Sequence, residues 1–156
     1  MNEFPMTQHG RNLIETELTT LIRVDREQIK QAISEARDLG DLKENAEYHA
    51  AKEKQSHLEG RIQELQAKIS RARVVEIKAP PGGKIVFGAT VSLTDANGVE
   101  LTYQIVGEDE AMTDKSKVSY SSPLGKALIG KEAGDEIIVK APKGDVTYEV
   151  QSVVYK

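Results

Sequence analysis

The sequence has no cysteine and no tryptophan, and its aromatic side chains are two phenylalanines and five tyrosines. Without cysteine there can be no disulfide and no thiolate metal site, which agrees with a reducing compartment. No stretch approaches the ~18 consecutive apolar residues of a membrane span. The first ten residues lack the basic-then-apolar order of a secretory signal. A soluble, cytoplasmic chain is the expectation. A large excess of either charge is also missing. Lys and Arg number 21 against 25 Asp and Glu, for a net charge of -4. Division after Val75 leaves 12 against 13 in the first part and 9 against 12 in the second. Such a balance excludes a broad basic surface for wrapping nucleic acid, so any nucleic-acid contact must be local. The acidic run "GEDEAMTD" over 107–114 reads as a solvated turn.

Proline is absent from Thr7 to Val74, where only Gly10, Gly40 and Gly60 interrupt a helical pattern. Ala51, Gln55, Leu58, Ile62, Leu65, Ile69 and Ala72 alternate steps of four and three, the seam of a coiled coil. A looser stripe of Leu18, Leu21, Ile22, Ile29, Ala32, Ile33 and Ala36 precedes it. Two such runs joined by a few residues form an antiparallel hairpin. Thr7 is placed to cap the first helix. A second helix from Leu42 to Arg73 would be roughly 48 Å long and would reach beyond a small companion domain.

Pro80, Pro81, Gly82 and Gly83 end this texture. The predicted division is a helical hairpin over 1–75, a linker over 76–83 and a second domain over 84–156. In the latter, Lys84 to Thr94 and Val99 to Val106 flank the turn "DANG", in which Asn97 and Gly98 both tolerate positive φ. A second hairpin is expected from 137–140 and 146–155. Between the hairpins, "SSPLGKALIG" reads as a short helix capped by Ser121 or Ser122, begun by Pro123 and stopped by Gly130. The fold class is therefore α+β: a two-helix coiled-coil hairpin, then an antiparallel sheet with one short helix.

Chemistry concentrates in "GDLKENAEYHAAKE", residues 40–53. Gly40 suits the left-handed residue that ends one helix, Asp41 the N-cap of the next, and Glu44 the third position of a capping box. That arrangement explains both acids as structure. A second use is compatible with it. Carried backward from Ala51, the seam passes through Tyr48 to Glu44, which brings two carboxylates together at the far end of the hairpin. Hard oxygen donors suit Mg²⁺, but two cannot hold that ion tightly, so a metal site there needs ligands from elsewhere. His49 and Glu53 stand one turn apart without a third zinc ligand or an HExxH arrangement. Arg37, Lys43 and Lys52 are singly ordinary surface charges, and together are placed to hold a phosphate backbone beside the acids.

The segment "GDLKENAEYHAAKE", preceded by "AISEAR" and followed by "EGRIQELQAKI", closely resembles the GreA/GreB family of bacterial transcript cleavage factors. So do "PMT" near the start and the later "IVFGATV" and "SSPLGKALIGKEAGDE". The resemblance is collinear over nearly the whole chain. It implies a second domain similar to FK506-binding proteins, docked on RNA polymerase at the rim of its secondary channel, with Ser121, Ser122 and Pro123 in the docking surface. The hairpin would be threaded into that channel when the polymerase has backtracked and extruded the RNA 3′ end. Asp41 and Glu44 would help position the second Mg²⁺ and the attacking water, and the polymerase's own site would cleave the RNA. No cofactor would be bound tightly by the chain alone.

Arg37 and Lys52 fall where the family has a basic patch toward extruded RNA. Lys52 keeps the charge but lacks the bidentate fork of an arginine. The tip carries no acids beyond the pair and nearby Asp38 and Glu47, which fits the stimulatory branch of the family. The implied protein is a cytoplasmic, monomeric, non-autonomous factor. Two other readings are a coiled-coil adaptor whose tip is only a cap, and a peptidyl-prolyl isomerase based on the second domain. Against the latter, that domain has no tryptophan and one phenylalanine, Phe87, to line a proline pocket.

Overall fold

The computed structural model describes residues 3–41 and 44–156. The chain forms two compact units: Arg11–Ala72, and Glu3–Gly10 together with Arg73–Lys156. Residues Glu3–Gly10, assigned to the helical part by sequence, thus pack within the sheet-bearing unit.

The first arm of the hairpin consists of α1 (Gln8–Thr20), a single π-helical turn (Leu21–Asp25) and α2 (Arg26–Arg37). The returning arm is α3 (Ala46–Arg71). Its 26 residues span about 39 Å at 1.5 Å per residue. This is shorter than the expected 48 Å because α3 begins four residues later than predicted and ends two residues sooner. Leu58, Ile62 and Leu65 are buried and Gln55 and Ile69 half-buried, so the predicted seam is the one used. On the first arm Ile14, Ile33 and Ala36 are buried. Ala32 is exposed, contrary to expectation.

The π turn explains the gap between Ile22 and Ile29 in the apolar stripe. An extra residue in the turn shifts the face that follows it. The half-buried Arg26 occupies the vacated stretch with both ends of its guanidinium on Glu59, at 2.8 and 3.1 Å. Arg61 makes the same two-pronged contact with Glu17, at 3.0 and 3.1 Å. The pairings run 17 with 61, 26 with 59 and 36 with 45, the descending order that antiparallel helices require. Burial opposes the charge of Arg61, but its bonds to Glu17 and Glu64 outweigh this and raise its pKa. Glu64 in turn is held below the ordinary glutamate value by hydrogen bonds from Lys68 and Arg61.

In the second unit, β1 (Phe4–Met6) pairs with β2 (Ala72–Val74) in a two-stranded sheet. The main sheet has the order β5-β4-β3-β7-β6. It comprises β3 (Thr90–Asp95), β4 (Glu100–Val106), β5 (Lys117–Ser119), β6 (Glu136–Val139) and β7 (Val146–Val154). All its pairings are antiparallel except β4 with β5. Alternation along β3 sends Val91 and Leu93 into a core with Ile85, Ile105, Leu128, Ile137 and Val150. Both predicted hairpins are present. Strand β3 starts at Thr90 rather than Lys84, because Ile85 hydrogen-bonds instead to the chain after the short helix, at Lys131 and Gly130. In the "DANG" turn only Gly98 has positive φ, +81°. Asp95 holds the turn by accepting from the backbone N–H groups of Asn97 and Val99, each at 2.9 Å.

The acidic run is not a solvated turn. It forms a one-turn helix, α4 (Glu108–Ala111), in which Glu110 is 4% exposed. The Thr7 hydroxyl donates to Glu110 Oε1, and Lys117 Nζ donates to Oε2 at 2.7 Å. Thr7, itself buried, accepts the N–H of Gly10 at 3.0 Å, so it is the predicted cap of α1. Among the described residues no helix is long and apolar enough to cross a membrane.

Glu110→Ala is expected to cost about 3 kcal/mol, since it leaves an ammonium and a hydroxyl buried without their shared acceptor; denaturant unfolding of the second unit checks this. A second expectation concerns acid. The lowered Glu64 carboxyl stabilises the folded state above its unfolded pKa, and that contribution is lost as pH falls through the lowered folded value. Glu64→Gln should therefore flatten the acid limb of hairpin stability, measured by circular dichroism against pH.

Candidate functional site

The turn of the hairpin is built around Asn45, a residue the sequence pattern did not single out. Helix α2 ends at Arg37, with Asp38 as C-cap, and Gly40 then adopts a φ of +131°. Among the described residues no neighbouring atom would obstruct a side chain at Gly40. Its requirement is for the backbone conformation alone. Helix α3 starts at Ala46, and its N-cap is Asn45, whose Oδ1 accepts the N–H of Tyr48 at 3.0 Å. The other end of the same carboxamide donates to the carbonyl of Ala36, in the last turn of α2. One side chain thus satisfies an orphan donor at the start of one helix and adds a second donor to the Ala36 carbonyl at the end of the other, which also accepts the N–H of Leu39 at 3.1 Å.

This corrects the expected roles of Asp41 and Glu44. Asp41 is not the N-cap, and Glu44 is neither a capping-box residue nor on the helical seam, since both precede the first residue of α3. Tyr48, half-buried, does lie on the predicted extension of the seam. Both acids are exposed. They flank Leu42, the expected first residue of the second helix, and Lys43, one of the expected basic residues, both of which lie outside the described residues. Among the described residues no group of three or more His, Asp or Glu side chains converges to hold a metal ion. The hard carboxylate donors of Asp41 and Glu44 suit Mg²⁺, and their number suits an ion whose other ligands come from outside the chain.

The predicted basic residues lie on the two arms beside the turn. The Arg37 guanidinium sits over the Tyr48 ring, 5.9 Å from its centroid. The Lys52 ammonium is exposed and donates to Gln55 at 3.2 Å. His49 meets the edge of Tyr48 with ring centroids 5.6 Å apart. Glu53 is directed instead to His57, at 3.8 Å.

In the second unit Ser122 caps α5 (Pro123–Leu128), its Oγ accepting from Gly125 N at 3.0 Å, with Pro123 in the first turn. Ser121 Oγ donates to Glu108 at 2.7 Å. A side chain at Gly125 would meet the carbonyl of Ser119 at 2.1 Å, so this segment needs glycine for the helix to lie on the strand end. Gly130, at φ +90°, stops the helix as predicted.

Family models bracket these features. The model described as "Transcription elongation factor, N-terminal" matches residues 4–74, and "Transcription elongation factor, GreA/GreB, C-term" matches residues 80–155. The chain is 52% identical over 157 residues to transcription elongation factor GreA of Thioalkalivibrio sulfidiphilus, covering 99% of each. It is 54% identical over 157 residues to that of Legionella pneumophila, covering 99% of this chain and 98% of the relative. Among solved structures, GreA factor homolog 1 of Thermus thermophilus aligns over 98% of this chain and 99% of its own length. Its identity is 29% and its TM-score 0.44.

The double role of Asn45 is open to measurement. Asn45→Asp should keep the cap but lose the donor to Ala36, at a cost of about 1 kcal/mol. Asn45→Ala should lose both, at a cost of about 2 kcal/mol. Urea unfolding followed by helical circular dichroism ranks the two.

Proposed function

The chain belongs to the GreA/GreB family of transcription elongation factors, and on that footing we propose that it stimulates RNA cleavage by a backtracked RNA polymerase. The hairpin enters the polymerase's secondary channel, and the sheet-bearing unit, through the surface around Ser121, Ser122 and Pro123, holds the rim. The chain acts as a monomer in the cytoplasm and is not an enzyme by itself. The observation that best supports this reading is the division of labour in the turn. Asn45 is the N-cap of α3 and ties its start to Ala36 of α2, so neither of the exposed acids Asp41 and Glu44 is the N-cap of α3.

Exposed carboxylates can be offered to a partner. When bound in the polymerase, the second Mg²⁺ supplies Lewis-acid stabilisation and an activated water. Asp41 and Glu44 are the residues that would hold that ion from the side of this chain, together with the polymerase's own ligands. Their placement at a turn between two packed helices limits the conformational freedom lost on engagement, the advantage of a preorganised group. Lys52, exposed on α3, lies along the path of the extruded 3′ end and offers it a point charge.

Asp41→Asn and Glu44→Gln remove charge without touching either cap. Both variants should keep the helical content and the polymerase affinity of the parent. Their stimulation of RNA cleavage in backtracked complexes should fall by about 10–100-fold, the range for losing groups that orient a metal's ligands. Full stimulation by either variant would overturn the reading. Calorimetry of the free chain is expected to show no stoichiometric uptake of Mg²⁺; tight uptake would contradict a shared ion.

A further inference from the structure

We propose that Arg37 and Tyr48 form a clamp across the base of the turn, and that Arg37 serves the cleavage reaction by holding the loop of Asp41 and Glu44, in addition to its place in the basic patch. This inference rests on the function proposed above. Three observations carry it. Arg37, the last residue of α2, places its guanidinium 5.9 Å from the centroid of the Tyr48 ring, within the range in which a cation is attracted to a ring face. Tyr48 is the third residue of α3, and its N–H is the group that Asn45 caps. Asn45 in turn donates to Ala36, the residue next to Arg37.

Two adjacent residues of α2 therefore meet two residues of the α3 start through two different interactions. The carboxamide of Asn45 provides the polar link, and Arg37 over Tyr48 provides the cationic one. The two contacts bracket the described residues Asp38–Asp41 and Glu44, which include both acids. With only the Asn45 bonds, the two helix ends could pivot about a single side chain. The second contact, on another pair of residues, opposes that pivoting. Arg37 is also suited to the end of a helix, where its charge complements the exposed carbonyls.

Its planar guanidinium stacks on a ring more readily than a lysine ammonium would. Tyr48 is half-buried with His49 against its edge, so the ring is itself braced. In this arrangement Arg37 and Tyr48 are positioning residues. Neither has to touch the reacting atoms.

The test separates a clamp from an RNA contact by beginning without RNA. In the free chain, Arg37→Gln should lower hydrogen-exchange protection of the Tyr48 amide by about 2–5-fold, the effect expected of one exposed cation–π contact. Tyr48→Leu should do the same, Tyr48→Phe should not, and the double variant Arg37→Gln/Tyr48→Leu should fall no further than either single one. In backtracked complexes, Arg37→Gln should lower the maximal cleavage rate at saturating factor while leaving the half-saturating factor concentration unchanged. Tyr48→Phe should restore what Tyr48→Leu loses.

An unchanged Tyr48 amide in Arg37→Gln would overturn the proposal, and a salt-dependent rise in half-saturating concentration beside it would assign Arg37 to the basic patch alone. So would effects of the two single variants that multiply in the double. If Tyr48→Leu loses its helix, the exchange and rate measurements on Arg37→Gln still decide. Asp41→Asn serves as control. If the parent stimulates cleavage and Asp41→Asn does not, while Arg37→Gln behaves as the parent, the clamp alone fails. If the parent gives no stimulation, the functional reading fails.

Discussion

The carboxamide of Asn45 is the constraint on which the functional end of this protein depends. A helix that stops and a helix that starts each leave backbone groups without partners, and a tight reversal brings both sets together. Asn carries a donor and an acceptor on one short planar group, so it can serve the carbonyl of Ala36 and the N–H of Tyr48 at once. Asp or Ser at this position could accept from Tyr48, but an ionised Asp could not donate to Ala36. With Asn45 as the N-cap, neither Asp41 nor Glu44 fills that position, and both carboxylates are exposed at the turn of an otherwise well-paired hairpin.

Elsewhere the hairpin relies on apolar packing, reinforced where the packing is interrupted. The π turn removes the first arm from register, and the chain fills the gap with Arg26 on Glu59 instead of a further aliphatic residue. Arg61 on Glu17 repeats the device. Surface ion pairs contribute little to stability on their own. Forked, half-buried pairs between helices add direction, since a slip of one residue would unmake both bonds of each fork. In the second unit Glu110 works in a comparable way, joining Thr7 at the start of α1 to Lys117 at the start of β5.

Much of this was legible in the sequence where a periodic signal was long. The seam from Ala51 to Ile69, both β-hairpins, and the Ser-Pro start and Gly130 stop of α5 all follow from spacing and turn chemistry. The failures occurred where local rules had two solutions. "GDLKEN" contains Asp41 and Asn45, both good caps. The pattern Asp41-x-x-Glu44 pointed to the first, whereas tertiary contact with Ala36 selected the second. Glu110 was hidden because its partners, Thr7 and Lys117, are far apart in sequence or on the other side of a loop. Ile85 resembled a strand residue, yet its partners lie beyond α5 and form no ladder. The exposed positions of Asp41, Glu44 and Lys52 agree with the roles implied by family resemblance, but it was the resemblance, not spacing, that pointed to polymerase.

The central claim is that the two turn acids act on a Mg²⁺ shared with the polymerase. Its most direct test is the Mg²⁺ dependence of RNA cleavage in backtracked complexes, with the factor saturating and with it absent. This chain is expected to lower the Mg²⁺ concentration giving half-maximal cleavage, and the combined Asp41→Asn/Glu44→Gln variant to return it to the value for polymerase alone. A uniform rise in rate with the same half-maximal Mg²⁺ concentration would contradict it.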